Sequence, residues 1–188
     1  MRTGEKTKAK IKRAAMELFV KKGVNGCGVR EIAKASGITE GAIYRHFSSK
    51  EDLVWQVFVE NFEHYADALN DLQKAETTTA AKIEAMVQGF CRFFDEDQTL
   101  FRFLLLVQHG QLDKVTEDMA SPVETVLKVI QTGIDQGDIL HPDATEATAW
   151  VMGIVLQSAS FQIDGRLDGD MTARAPSLSG ACLDALGV

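Results

Sequence analysis

Between residues 28 and 50 lies a run of side chains suited to gripping a polyanion and touching a base edge. Thr39 offers a hydroxyl that can bond to a phosphate or a base edge. Arg45 carries a long forked guanidinium that can pair with guanine or with a phosphate. The methyl of Ala42 can meet the methyl of a thymine. Gly41 has no side chain, so the backbone that carries it can come close to the bases. Lys50 stands where a helix begins, and its charge adds to the free N–H groups and the positive dipole end of that helix. Each of these contacts requires the short segment 39–47 to be a helix presented on its outer face.

The local signals supply such a helix. Val29, Ile32 and Ala33 form the buried side of a helix over 29–35, and Ser36-Gly37 makes a turn. Thr39 caps the next helix, expected to end near Phe47. Ile38 before the cap and Ile43 inside it form a hydrophobic staple. Two short helices joined at a glycine turn make a helix-turn-helix. That motif also serves as a plain structural corner, and the charge distribution decides between the two uses. The 188 residues carry a net charge of −7, which by itself argues against a nucleic-acid partner. Residues 1–50, however, hold 12 of the 20 Lys and Arg and only 4 of the 27 Asp and Glu, a net of +8 against −15 for 51–188. A positive field confined to one quarter of the chain points to a polyanion for that quarter. Lys6, Lys8, Lys10, Lys12 and Arg13 are either a solvated helix face or a further, sequence-independent phosphate grip.

The rest of the chain reads as helix. Ile11, Ala14, Ala15, Leu18 and Phe19 share one face of a helix over 6–22, stopped by Gly23. Ser48 or Ser49 caps a long helix reaching about residue 74, with Leu53, Val57, Phe58, Phe62, Tyr65, Ala66 and Leu69 on one face. Thr77-Thr78-Thr79 caps a helix over 80–95. Others are expected over 98–109, from Ser121-Pro122 to Gly137, over 143–163 and over 176–186, with loops at 110–119 and 165–174. The sum is an all-α chain of about nine helices, with a DNA-binding domain at 1–50 and a second domain at 51–188.

The segment VREIAKASGITEGAIYRHFSSKEDL, residues 29–53, resembles the DNA-binding module of the tetracycline-repressor (TetR) family of bacterial transcriptional regulators. The Val29–Ile32–Ala33 helix, the Gly37 turn, Gly41, the Ile43-Tyr44-x-His46-Phe47 run, Lys50 and Leu53 carry the likeness together. The resemblance implies a three-helix N-terminal module, followed by a helical ligand-binding and dimerisation bundle. It adds Arg30, Tyr44 and His46 to the DNA-contacting set of Thr39, Gly41, Ala42, Arg45 and Lys50. A structural use competes for two of these: Tyr44 as cover for the helix-turn-helix core, His46 as a structural hydrogen-bonding group. Ile32, Ile43 and Phe47 are core. Where the family often has Ser or Thr before the second helix, this chain has Cys27-Gly28, so no hydroxyl reaches a phosphate there.

The resemblance further implies a homodimer through the last two helices, a palindromic double-stranded operator, and a small-molecule effector that releases it. Ala147, Val151, Ile154, Val155, Ser158 and Phe161 on one helix, with Leu178, Ala181, Cys182, Ala185 and Leu186 on the next, are the expected dimer faces. Trp55, Phe58, Phe62, Phe90, Phe94, Phe101, Leu105, His109 and Trp150 are the expected ligand-binding residues, as members of an apolar pocket with few polar groups; plain core packing competes for every Phe. The alternative is a bundle that answers to a protein partner instead of a small ligand.

Other classes find little support. No phosphate-loop, HExxH or GxSxG motif occurs, so no enzyme is expected. Neither a cofactor nor a metal is expected: the four histidines lie in no ligand spacing, and Asp95-Glu96-Asp97 reads as a solvated helix junction. The three cysteines are far apart and suit reduced thiols in a cytoplasmic protein. No apolar run approaches the roughly 18 residues of a membrane span, and no secretory signal opens the chain.

Overall fold

Helix caps and apolar stripes place nearly every element, and the computed structural model, which describes residues 3–188, contains nine α-helices and no strand among them. They are α1 (Thr3–Lys22), α2 (Val29–Ser36), α3 (Glu40–Tyr44), α4 (Lys50–Lys74), α5 (Thr79–Glu96), α6 (Gln98–Gln111), α7 (Pro122–Gln136), α8 (Ala144–Ile163) and α9 (Met171–Leu186), with one 3-10 turn at Leu112–Lys114. The local caps are the expected ones: the Thr39 hydroxyl accepts from the Ala42 N–H, Thr78 from Ala81, and Ser121 from Glu124 ahead of Pro122 at the first helical position. Among these described residues no helix is long and apolar enough to cross a membrane.

The chain packs as two compact units. The first comprises 1–61 and 98–116, the second 62–97 and 117–188. The expected division at residue 50 follows charge; the packing follows apolar contact. Ile11, Ala15 and Phe19 of α1 are fully buried in the first unit, and α6 is drawn into it because Phe103 stacks on Phe19 with ring centroids 6.1 Å apart. Ile32, Ile43, Phe47, Leu53, Val57 and Phe58 complete that core. α4 is 25 residues and about 37 Å long; its residues to Asn61 belong to the first unit and those from Phe62 to the second.

In the second unit α5 packs against α9 and α7, and α8 against α7 and α9. Gly133 permits the close approach of Thr79 and Ile139, since a Cβ there would lie 2.7 Å from Thr79 Cγ2. Two expectations need correction. α3 ends at Tyr44, not near Phe47: the His46 N–H takes the Ile43 carbonyl, at 2.9 Å, an i→i−3 bond that tightens the last turn, and the Phe47 ring drops into the core. α9 begins at Met171, five residues before the expected Pro176, which lies inside the helix. The cause is Asp95, at the end of α5. Its carboxylate accepts from the Met171 N–H at 3.0 Å, the Thr172 N–H at 2.8 Å and the Thr172 hydroxyl at 2.5 Å. The first turn of α9 is thus capped from 76 residues away, whereas Asp170 at its N-cap makes no side-chain bond.

Asp95→Ala is therefore expected to lower stability by about 1–2 kcal/mol, or Tm by roughly 2–8 °C for a chain of this size. Thermal unfolding followed by circular dichroism measures the change, and an unchanged Tm contradicts the capping role.

Candidate nucleic-acid interface

α3 has five residues, too few to be stable alone, so its neighbours hold it. Gly37 ends α2 in the left-handed region at φ 67°, and the Ile38 N–H closes on the Ala33 carbonyl at 3.0 Å. Thr39 then caps α3 with a 3.2 Å bond. Ile43 and Phe47 anchor it from beneath, 2% and 1% exposed. Its outer face is what remains: Glu40, Gly41, Tyr44 and Arg45 are exposed, with Tyr44 54% exposed despite its size. Thr39 and, on α2, Arg30 are exposed too, and Ala42 and His46 are half-buried. Lys50 is half-buried as well, so all eight expected contacts lie at least partly at the surface. The start of α1 also lies beside this face, since a Cβ at Gly4 would come to 4.0 Å from His46 Cε1.

Gly41 is the informative residue. A glycine inside a helix costs about 1 kcal/mol relative to alanine. Here nothing in the chain requires it: a Cβ would find no atom within 4 Å, and its φ is not positive. The missing side chain leaves the outer side of α3 open to close approach.

The supporting charges are partly spoken for. Lys22 donates to Glu31 at 2.5 Å, and the Glu31 carboxylate also accepts the Gly28 N–H at 3.2 Å. The Lys22 bond first, and then the Gly28 bond, hold the Glu31 carboxyl below its usual range, and the bond to Glu31 raises Lys22. The Glu31 carboxylate thereby satisfies the N–H of Gly28, the N-cap residue of α2. Lys8 and Lys12 both reach Glu60 on α4, and Lys8 lies over the Phe47 ring, 5.7 Å from its centroid. At the start of α4 the Ser49 hydroxyl accepts the Asp52 N–H at 3.0 Å, and the Asp52 carboxyl is lowered by bonds from Gln56 and the Ser48 N–H. Lys50 turns inward: its ammonium donates to the carbonyls of Val24 at 2.9 Å and Cys27 at 3.2 Å. Its partners lie 26 and 23 residues back, beyond any local sequence signal.

The expected ligand-binding residues do not share one environment. Phe58 and Phe101 are buried in the first unit, Phe90 and Phe94 in the second, all as core. Trp55, Phe62 and Leu105 are half-buried, and His109 is exposed. Trp55 meets the Phe58 ring and lies under the Lys114 ammonium, 5.6 Å from its centroid. Trp150 is a correction: it is 40% exposed, and its ring edge meets His141 at 4.3 Å. The expected dimer face needs the same adjustment. Ala147, Val151, Val155 and Ala159 face their own chain, as do Leu178, Cys182 and Leu186. The outward stripe of α8 is Trp150, Gly153, Gln157 and Phe161, because one step along a helix turns the side chain by about 100°. Among the described residues no cluster of His, Cys, Asp or Glu is placed to hold a metal.

Residues 11–57 match the family model of bacterial regulatory proteins, tetR family. The "Fatty acid metabolism regulator protein" of Bacillus subtilis is 23% identical over 174 residues, 88% of each chain. The "HTH-type transcriptional activator FasR" of Mycolicibacterium smegmatis is 29% identical over 104 residues, 55% of this chain and 45% of that relative, so the match spans less than half of its length. In fold, the chain is similar to the transcriptional regulator FadR from Bacillus subtilis in complex with stearoyl-CoA, with a TM-score of 0.76 and 18% identity over 94% of this chain and 98% of that one.

Because Gly41 is open to solvent, Gly41→Leu is expected to leave thermal stability unchanged or raised while reducing affinity for duplex DNA at least tenfold, a loss of about 1.4 kcal/mol or more. Fluorescence anisotropy alongside thermal unfolding checks this; unchanged affinity removes α3 from the interface.

Proposed function

The chain belongs to the tetR family of bacterial regulatory proteins, and we propose that it is a cytoplasmic repressor whose homodimer binds a palindromic operator and is released by a fatty acyl-CoA. The observation that carries the DNA-binding part is the open backbone of Gly41 between exposed Thr39, Tyr44 and Arg45. A helix with that outer face fits the major groove, where Arg45 can pair with guanine, Ala42 with a thymine methyl and Thr39 with a phosphate or base edge. Tyr44, His46 and Arg30 then bond to phosphates, which fix register without reading sequence.

The dimer is supported by α8. Its composition is apolar around the whole circumference, yet one side, along Trp150, Gly153 and Phe161, is uncovered. Gly153 and Gly180 of α9 both face open space, and small residues let a second copy approach closely. A single module would bind one half-site weakly; two copies bind two half-sites a helical turn apart.

The effector class rests on likeness. The Bacillus subtilis relative that matches 88% of this chain is named for fatty acid metabolism, and the structural neighbour holds stearoyl-CoA. An acyl chain needs an apolar lining, which the Phe-rich helices after residue 50 can supply. Release follows if the ligand prefers a conformation in which the two reading helices are wrongly spaced, a coupling of about 1–3 kcal/mol. α4, which begins beside the DNA-binding module and continues into the second unit, is the element through which such a change would pass.

Selection of bound sequences from a random duplex pool tests the reading. With 6–10 phosphates neutralised, affinity should fall by roughly 10³–10⁵ between 50 and 200 mM salt. Stearoyl-CoA should then weaken operator binding by about 5–150-fold, and sedimentation should report a dimer. A flat salt response overturns the DNA assignment; salt-sensitive binding indifferent to stearoyl-CoA overturns the effector alone.

A further inference from the structure

Lys50 carries a formal charge at the edge of the DNA-binding module, but its ammonium is committed elsewhere. Two of its three protons go to main-chain carbonyls of the α1–α2 loop, Val24 at 2.9 Å and Cys27 at 3.2 Å, and the contact is partly buried. Besides Lys50, that loop is held by the buried Cys27 side chain and by the Lys22–Glu31 pair that spans it. Its backbone bond from the Cys27 N–H to the Val24 carbonyl is long, at 3.4 Å, and uses the same carbonyl that Lys50 holds. Immediately after it comes Gly28, the N-cap of α2, which has no side chain to cap with and relies on the Glu31 carboxylate. Arg30 stands two residues further on.

We propose that Lys50 is a positioning residue: by binding the Val24 and Cys27 carbonyls it ties the α1–α2 loop, and with it the start of α2, to the first turn of α4. The tie converts a glycine-rich connection into a fixed one, so that Arg30 and the helix-turn-helix keep one orientation against α4. Removing the ammonium would take that donor from two partly buried carbonyls, an unfavourable change. The role rests on the DNA-binding reading given above, and part of its test does not depend on DNA.

Lys50→Met keeps the apolar stem and removes only the ammonium; Lys50→Arg keeps donors for both carbonyls. In the free protein, Lys50→Met should speed amide hydrogen exchange at residues 25–31 by about tenfold or more, with no change in α5–α9 and no loss of cooperative unfolding. Operator affinity should fall by about tenfold while the slope of log affinity against log salt stays at its wild-type value. Lys50→Arg should restore most of the affinity. A slope that drops by about 0.9 for each lost contact makes Lys50 a phosphate ligand and overturns the proposal. Unchanged exchange at 25–31 overturns it as well. Should wild-type protein bind no selected duplex, the DNA-binding reading fails, and the exchange measurement still decides whether the tie exists. If Lys50→Met does not fold, Lys50→Gln, shorter and uncharged, is read by the same criteria.

Discussion

A helix of five residues cannot hold itself together, and the first half of this chain is organised around that constraint. α3 gains few internal hydrogen bonds for the backbone entropy lost in ordering it. What it lacks is provided by Thr39 at one end, by the left-handed turn at Gly37, and by Ile43 and Phe47 driven into the core. Those anchors need a core to enter, which α1, α2 and the start of α4 supply, with α6 closing it through the Phe19–Phe103 stack. Because the inner side of α3 does all the holding, the outer side is free to be unfavourable for stability: a glycine in the first turn and a tyrosine half in water.

The same economy appears in the charges. The net +8 of residues 1–50 is the reason to look for a polyanion there, but the structure separates its positive groups into two kinds. Lys8, Lys12, Lys22 and Lys50 are engaged with Glu60, Glu31 and loop carbonyls. Arg30, Lys34 and Arg45 are exposed. Ion pairs in water contribute little to stability, about 0–1 kcal/mol, yet they fix where helices lie relative to each other. The engaged lysines all bear on α4 or on the start of α2, the elements whose placement sets the direction in which α3 faces.

In the second unit the polar chemistry is that of assembly. Asp95, which in sequence reads as part of a solvated helix junction, caps the first turn of α9. This explains why α9 runs on through Pro176: its N-terminus is secured from α5, so the proline costs one bond inside a helix already begun. α8 shows the limit of periodicity. Its apolar residues fall on every side, so no stripe stands out, and the sequence cannot say which side meets its own chain and which is left outside.

The sequence by itself determined the helices, their caps at Thr39, Thr78 and Ser121, the turn at Gly37 and the face of α3, because each depends on atoms within about four residues of one another. It also carried the likeness in residues 29–53 that named the family. Only the tertiary structure decided that Lys50 points back at Val24 and Cys27, that Asp95 starts α9, that α6 joins the N-terminal unit, and that Trp150 lies on an outer surface with Val151 turned inward. In the first two cases the partners are more than twenty residues apart, and such pairs meet through packing of whole helices. Residue type can show that a lysine or an aspartate is able to bond; which group it meets is a property of the assembled core.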